Sequence, residues 1–366
     1  FKWENAQLLS DIFGKKLDKN QIEILKNFWK IVGENIRGSD NKINSIYEGE
    51  LFLAIGYDNP DAVLLRWLRA RKWDINAASQ QLMETIKWRH EWGVKQLLIK
   101  GETDLCYDEI ITGKTYFMGH DKFGRPINYV YAKEHIKDQF PSELTEKFTV
   151  FSMEIGRKLL EPPNESVTVV FDLHGFGLKN MDYQHLKFLI QLLQHYYPES
   201  FALGLVVNAP WIFNGCWYII KRWLDPVVES KIHFLSHNSD LTKYIDPSYL
   251  PKRLGGTQAD FNYIPPSQED LDMINTFQND QQGKLKAEEE HREAVQNYLN
   301  LTYQWINGND TNDLLEKRKL AANNIRDKFE QLVPYIHTRT HYHRIGDINE
   351  PIFDIKYRAI KNNIQQ

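Results

Sequence analysis

Residues 195–235 read HYYPESFALGLVVNAPWIFNGCWYIIKRWLDPVVESKIHFL, and the order of apolar runs within them decides the fold. Two strand-like runs, 203–207 and 232–235, enclose a helix-length segment, 211–224, in which ten of fourteen residues are apolar. A helix that is apolar nearly all round is buried or meets lipid. This one is too short to cross a bilayer, which takes roughly 20 apolar residues. Glu199 precedes the unit and Lys231 follows its helix. A greasy interfacial helix flanked by an acid and a base suits a ligand with an oily body and a polar head.

Working outward, residues 115–118 and 127–131 are strand-like and joined by a turn, 120–126, that carries Gly124 and Pro126. Residues 142–160 carry a helical pattern, 167–173 form an apolar run of buried-strand type, and 182–197 are helical again. Helices alternating with buried strands predict an α/β layer with a mostly parallel sheet. Residues 1–100 read as helices, at 20–32, 61–71 and 75–92, the last capped by Asp74 and ended by Gly93. Beyond Gly256 come a linker, 261–268, and two helices, 284–306 and 311–333, the second capped by Thr311 or Asn312. The last thirty residues show little periodicity and are expected to wrap the body or be loosely held. The predicted division is a helical unit at 1–100, an α/β unit at 101–260 and a helical extension at 261–366.

A net charge of −4 over 366 residues provides no global basic field, so nucleic acid is not an expected partner. Cys106 and Cys216 are expected to be reduced, and ten tryptophans fit an aromatic-lined pocket or an aromatic core. No membrane-spanning run or signal peptide is visible, and the sequons at Asn164, Asn300 and Asn309 are taken as chance. There is no G-x-S-x-G elbow and no P-loop, which leaves hydrolase and nucleotidase readings without their chemistry. The Gly175-Phe-Gly177-Leu-Lys-Asn180 run is read as a strand-to-helix turn, and His337, His341 and His343 as packed or solvated side chains with no metal. Arg66, Arg69, Arg71 and Lys72 suit a solvated helix face as well as a phosphate site.

Assembled in order, LLRWLRARKWD, KWRHEWG, HDKFGRP, VVFDLHG, HYYPES, VVNAPWIF, WLDPVVESKIHFL and YLPKRLGG resemble the CRAL-TRIO lipid-transfer family, in its fungal phosphatidylinositol-transfer branch, over roughly residues 60–257. The resemblance implies a helical N-terminal unit, then a mostly parallel sheet flanked by helices around an apolar lipid cavity, then a helical extension. It implies a non-catalytic carrier that docks transiently on membranes from the cytoplasm. The implied cargo is phosphatidylinositol and a second hydrophobic lipid, and a link to a phosphatidylinositol kinase goes with it. The family's headgroup residues fall on Arg71, Glu199 and Lys231. Its mobile gate falls on 211–224, with Trp211, Phe213, Trp217, Ile220, Trp223 and Leu224 at the membrane. Tyr116, Tyr129, Tyr131, Phe171 and Phe176 are expected to line the pocket. No cofactor beyond the bound phospholipid is implied, and a monomer is expected. Two departures stand out. Val228 occupies a position where the founding member has a threonine three residues before the headgroup lysine. Gly177 and Lys179 occupy the two serine positions used for the choline lipid, which speaks against phosphatidylcholine. Rival readings are a carrier or sensor of another hydrophobe, such as a sterol or squalene, and a protein-interaction adaptor with a lipid-regulated pocket.

Overall fold

The computed structural model of the chain describes residues 17–37, 45–308 and 310–364. They divide into two compact units: the chain up to Gly101 together with Pro266 onward, and Glu102–Pro265.

In the second unit, the strands Thr115–His120 (β1), Pro126–Tyr131 (β2), Val167–Asp172 (β3), Phe201–Val207 (β4) and Ile232–Phe234 (β5) form one sheet in the order β1–β2–β3–β4–β5. β1 and β2 are antiparallel, and every later pairing is parallel. The β1–β2 turn is organised by Asp121, whose carboxylate accepts from the backbone N–H of Phe123 (2.9 Å) and of Arg125 (3.0 Å). It also accepts from Arg125 Nε and Thr168 Oγ1, both at 2.7 Å, which ties the turn to β3. Gly124, at φ 78°, supplies the left-handed residue that closes it. β3 and β4 are covered on both faces, which is why they read as continuous apolar runs.

Strand alternation separates two apolar layers. Ile127, Tyr129, Val170, Leu203, Leu205 and Val207 face Leu241, Ile245, Leu250 and Leu254 from the segment after β5. Phe171 and Val206 face the other way, toward Leu173, Phe176, Ile190, Cys216 and Ile220.

The first unit is all helical, and its two halves share one core. Leu25, Phe28 and Trp29 from Lys19–Arg37 and Leu64 and Leu68 from Pro60–Ala70 pack with Val295, Tyr298, Leu299 and Trp305 from Gln281–Ile306. Within this core Asp61 Oδ1 accepts from Trp29 Nε1 (2.6 Å), Tyr298 Oη (2.9 Å) and Arg318 (3.0 Å). The helical extension at 261–366 is therefore not a unit of its own: its apolar faces are completed by the N-terminal helices. Residues 337–364 are not loosely held. Helix Ile352–Ile364 inserts Phe353 and Tyr357 among Phe277, Phe329 and Leu332, and His343 Nε2 lies 2.8 Å from Glu350. His341 and His343 are packed side chains of that segment. The linker reading of 261–268 ends at Ser267, which caps a helix, Gln268–Asn279, that periodicity did not reveal; Ser267 and Asp270 exchange reciprocal side-chain bonds there. Asn59, Asp74 and Thr311 cap the helices that follow them.

Candidate functional site

The greasy segment is placed by the ends of β3 and β4. Asn208 adopts φ 55° and its side chain donates to Asp172 Oδ1 at 2.8 Å, so the chain turns sharply before Pro210. The helix itself spans only Phe213–Ile220, shorter than the 211–224 expected, and the next begins at Pro226 under an Asp225 cap. Its residues divide into two sets. Phe213, Trp217, Ile220 and Leu224 line a cavity against the β3–β4 face of the sheet. Trp211, Tyr218 and Ile219 point away and are 84%, 55% and 40% exposed. Trp223 packs edge-on against Tyr183, with Lys187 Nζ over its ring. Of the six side chains expected at a membrane, four thus wall the cavity. The helix is apolar all round because its two faces meet different apolar surroundings, a cavity and an open surface.

The cavity encloses about 1300 Å³ of empty space, counting the part that opens to solvent. Val130, Phe148, Phe171, Phe176, Leu189, Leu193 and Val206 make up much of its wall. Phe171 and Phe176 both face it. Tyr116 and Tyr129 do not: strand alternation sends both to the opposite layer, where Tyr129 Oη donates to the Tyr249 carbonyl at 2.7 Å. Tyr131 borders the cavity, but its ring belongs to that other layer, bonded to Tyr116 Oη at 3.0 Å and lying under Arg253 at 3.4 Å. The facing was not readable because β2 is buried on both sides and its pattern, PINYVY, does not alternate.

Glu199 and Lys231 stand at one end of the β4–β5 pair. The helix Tyr183–Gln191 widens into a π-helical turn, Leu192–Tyr196, just before the Tyr197-Pro-Glu199 loop. That loop is held by Tyr197 Oη, which donates to Glu154 at 2.6 Å, and by Ser200 Oγ, which donates to the Tyr197 carbonyl at 2.6 Å. Glu199 sits at φ 60°, a costly conformation for a residue with a side chain. Its carboxylate makes no hydrogen bond or ion pair among the described residues. Lys231 immediately precedes β5, and Nζ donates to the carbonyl of Phe201, the first residue of β4, at 2.9 Å. Val228 and Ile232, on either side of it in the chain, line the cavity. Arg71 is the half-buried C-cap residue of Pro60–Ala70 in the helical unit.

A polar group at the β1 side of the cavity escaped the sequence reading: Glu109 and Lys114, which are buried, with His135, Asp182 and His185, which are half-buried. These residues are scattered in the chain and gathered only by the fold. Asn180, at the third position of the glycine-like run, is a strut that accepts from Gly177 N and donates to the carbonyls of Lys133 and His135.

This geometry has counterparts among known proteins. The CRAL/TRIO domain profile matches residues 111–256, and that of the CRAL/TRIO N-terminal domain matches 14–84. The CRAL-TRIO domain-containing protein C3H8.02 of Schizosaccharomyces pombe is 36% identical over 300 residues, 80% of this chain and 67% of its own. The chain belongs to the CRAL-TRIO family. This is a lipid-binding and transfer family, and the phosphatidylinositol transfer protein CSR1 of Eremothecium gossypii is 31% identical over 91% of this chain and 77% of its own. The Sec14 cytosolic factor of Schizosaccharomyces pombe is 30% identical over 54% and 74%. Among solved structures, the crystal structure of Sfh5 superposes with a TM-score of 0.52 at 18% identity, covering 71% of this chain and 98% of that one, which establishes a common fold. Among the described residues no helix is long and apolar enough to cross a membrane.

Proposed function

We propose that this CRAL-TRIO protein binds phosphatidylinositol and carries it between membranes without chemical change, working from the cytoplasm as a transient peripheral visitor. The observation that carries the reading is the pairing of an apolar cavity with an unpartnered carboxylate, Glu199, and an ammonium, Lys231, at one sheet edge. Lys231 suits a phosphodiester, and Glu199 suits the hydroxyls of an inositol ring, because a carboxylate accepts several hydrogen bonds at once.

The energetics favour a carrier. Exposing a buried CH2 to water costs about 0.8 kcal/mol, so a phospholipid with roughly 30 of them does not cross water unaided on a useful timescale. Moving from bilayer to apolar cavity is close to an even exchange, and the headgroup contacts then select the cargo. The exposed Trp211, Tyr218 and Ile219, beside Lys221 and Arg222, form the surface that meets the bilayer, and the helix behind them swings to admit the lipid. A functional link to a phosphatidylinositol kinase, and action as a monomer, belong to the same proposal. Transfer of labelled phosphatidylinositol between vesicles, wild type against Lys231→Ala, tests it. Transfer by the wild type that falls in Lys231→Ala supports the reading, and transfer indifferent to Lys231 refutes the headgroup site.

A further inference from the structure

Glu199 stands on a loop that is pinned on both sides of it. Before it, Tyr197 and Pro198 are buried. The Tyr197 N–H donates to the Leu192 carbonyl at 2.8 Å, and Tyr197 Oη reaches across to the helix Ser142–Lys158, where it donates to Glu154 at 2.6 Å. After it, Ser200 Oγ and the Ser200 N–H both donate to the Tyr197 carbonyl, at 2.6 and 3.3 Å. The Ser200 carbonyl in turn accepts from the N–H of Val167, the first residue of β3, at 2.8 Å. Between these anchors Glu199 is half-buried and lies at φ 60°.

A residue with a side chain leaves the left-handed region when nothing holds it there. That backbone also aims the Glu199 side chain where an extended or helical backbone would not. The Pro198 ring leaves little torsional freedom between Tyr197 and Glu199, so the placement of the tyrosine is passed on to the carboxylate. The tyrosine is tied to a second element through Glu154, which is 7% exposed. Glu154 Oε1 takes the Tyr197 hydroxyl, and Oε2 lies 3.6 Å from Arg157 Nη1. The arginine offsets the buried charge, and an ionised acceptor strengthens the hydrogen bond it receives. Neither Tyr197 nor Glu154 is among the side chains that line the cavity, so whatever they do to a bound lipid they do through the loop.

We propose that Tyr197 and Glu154 are positioning residues for headgroup selection: their buried bond holds the Pro198-Glu199 turn in its left-handed form, so that the Glu199 carboxylate meets the ring hydroxyls already in place. Without the bond the turn relaxes, and each binding event must restore it at the expense of affinity. The inference rests on the phosphatidylinositol reading of the sheet edge. It adds two residues that touch no part of the lipid.

The test uses the full chain, incubated with vesicles doped with phosphatidylinositol or with phosphatidate, which keeps the phosphate and lacks the inositol ring. Bound lipid is counted by native mass spectrometry. Tyr197→Phe should lower phosphatidylinositol loading about fivefold and leave phosphatidate loading near that of wild type. In a Glu199→Ala background the same substitution should cost nothing further, because the carboxylate it serves is gone. Glu154→Gln keeps an acceptor oxygen for the hydroxyl and should lose less, about twofold, again only where Glu199 is present. It decides the matter if Tyr197→Phe fails to fold. Undiminished phosphatidylinositol loading in both variants, equal losses of the two lipids, or losses that multiply with that of Glu199→Ala overturn this inference alone. A wild type that takes up phosphatidate and no phosphatidylinositol refutes the phosphatidylinositol reading and this inference with it.

Discussion

Lys231 Nζ donates to the main-chain oxygen of Phe201 at 2.9 Å, across the step from β5 to β4. The bond holds the ammonium at the sheet edge and leaves two of its three N–H groups for a ligand. Lys231→Ala removes both functions, yet the lysine is only half-buried, so one backbone carbonyl losing a partner costs about 1 kcal/mol. Loading of phosphatidylinositol should fall at least tenfold while the urea midpoint barely moves. Glu199→Gln keeps an acceptor oxygen and should weaken loading less than Glu199→Ala; mass spectrometry of lipid-loaded protein checks both.

The residues of the greasy helix make separable predictions. Trp211 and Ile219 are exposed, so Trp211→Ala with Ile219→Asp should slow vesicle-to-vesicle transfer severalfold and leave stability within about 0.5 kcal/mol of wild type. Trp217 lines the cavity and packs edge-on against Phe234, so Trp217→Asp should destabilise the protein by several kcal/mol through a buried, unpaired charge. Denaturation midpoints measured beside transfer rates separate a docking defect from a damaged wall.

How far the sequence could be read follows from the kind of signal each element carries. The βαβ order around 203–235 was legible because buried parallel strands and an all-apolar helix leave continuous runs. The Glu199–Lys231 edge was legible because both residues flank those runs. The side of the sheet on which Tyr116 and Tyr129 lie was not, since strands buried on both faces lose the two-residue alternation that reports facing. The union of N- and C-terminal helices was hidden for another reason: Asp61 and Arg318 meet across 257 residues of sequence. The polar group around Glu109 and His185 is likewise a product of tertiary folding.

Asp61 and Arg318 are 4% and 3% exposed, and Asp61 Oδ1 serves three donors. Asp61→Ala strands the guanidinium in the core and should cost about 3–5 kcal/mol. Asp61→Asn keeps one acceptor oxygen and should cost less. Urea unfolding monitored by circular dichroism gives both values.

Acidification should weaken the fold before carboxylates titrate. His185 and His291 are held unprotonated by burial down to about 4, against 6.5 in the unfolded chain. Between those pH values the unfolded chain binds more protons, so stability is complete above about 6.5 and falls as the pH drops toward 4. The slope is at most about 1.4 kcal/mol per pH unit for each histidine. Unfolding free energies at pH 7.5 and 5.0 check this, and His291→Gln should flatten the dependence.

The central claim is that one cavity carries phosphatidylinositol and selects it through the sheet-edge charges. Its most direct test is the rate at which labelled phosphatidylinositol moves between donor and acceptor vesicles with wild-type protein and with Lys231→Ala. The account predicts rapid transfer by the wild type and a drop of at least tenfold in the variant, with both proteins equally folded. Equal rates for the two proteins, or no transfer by a folded wild type, would contradict it.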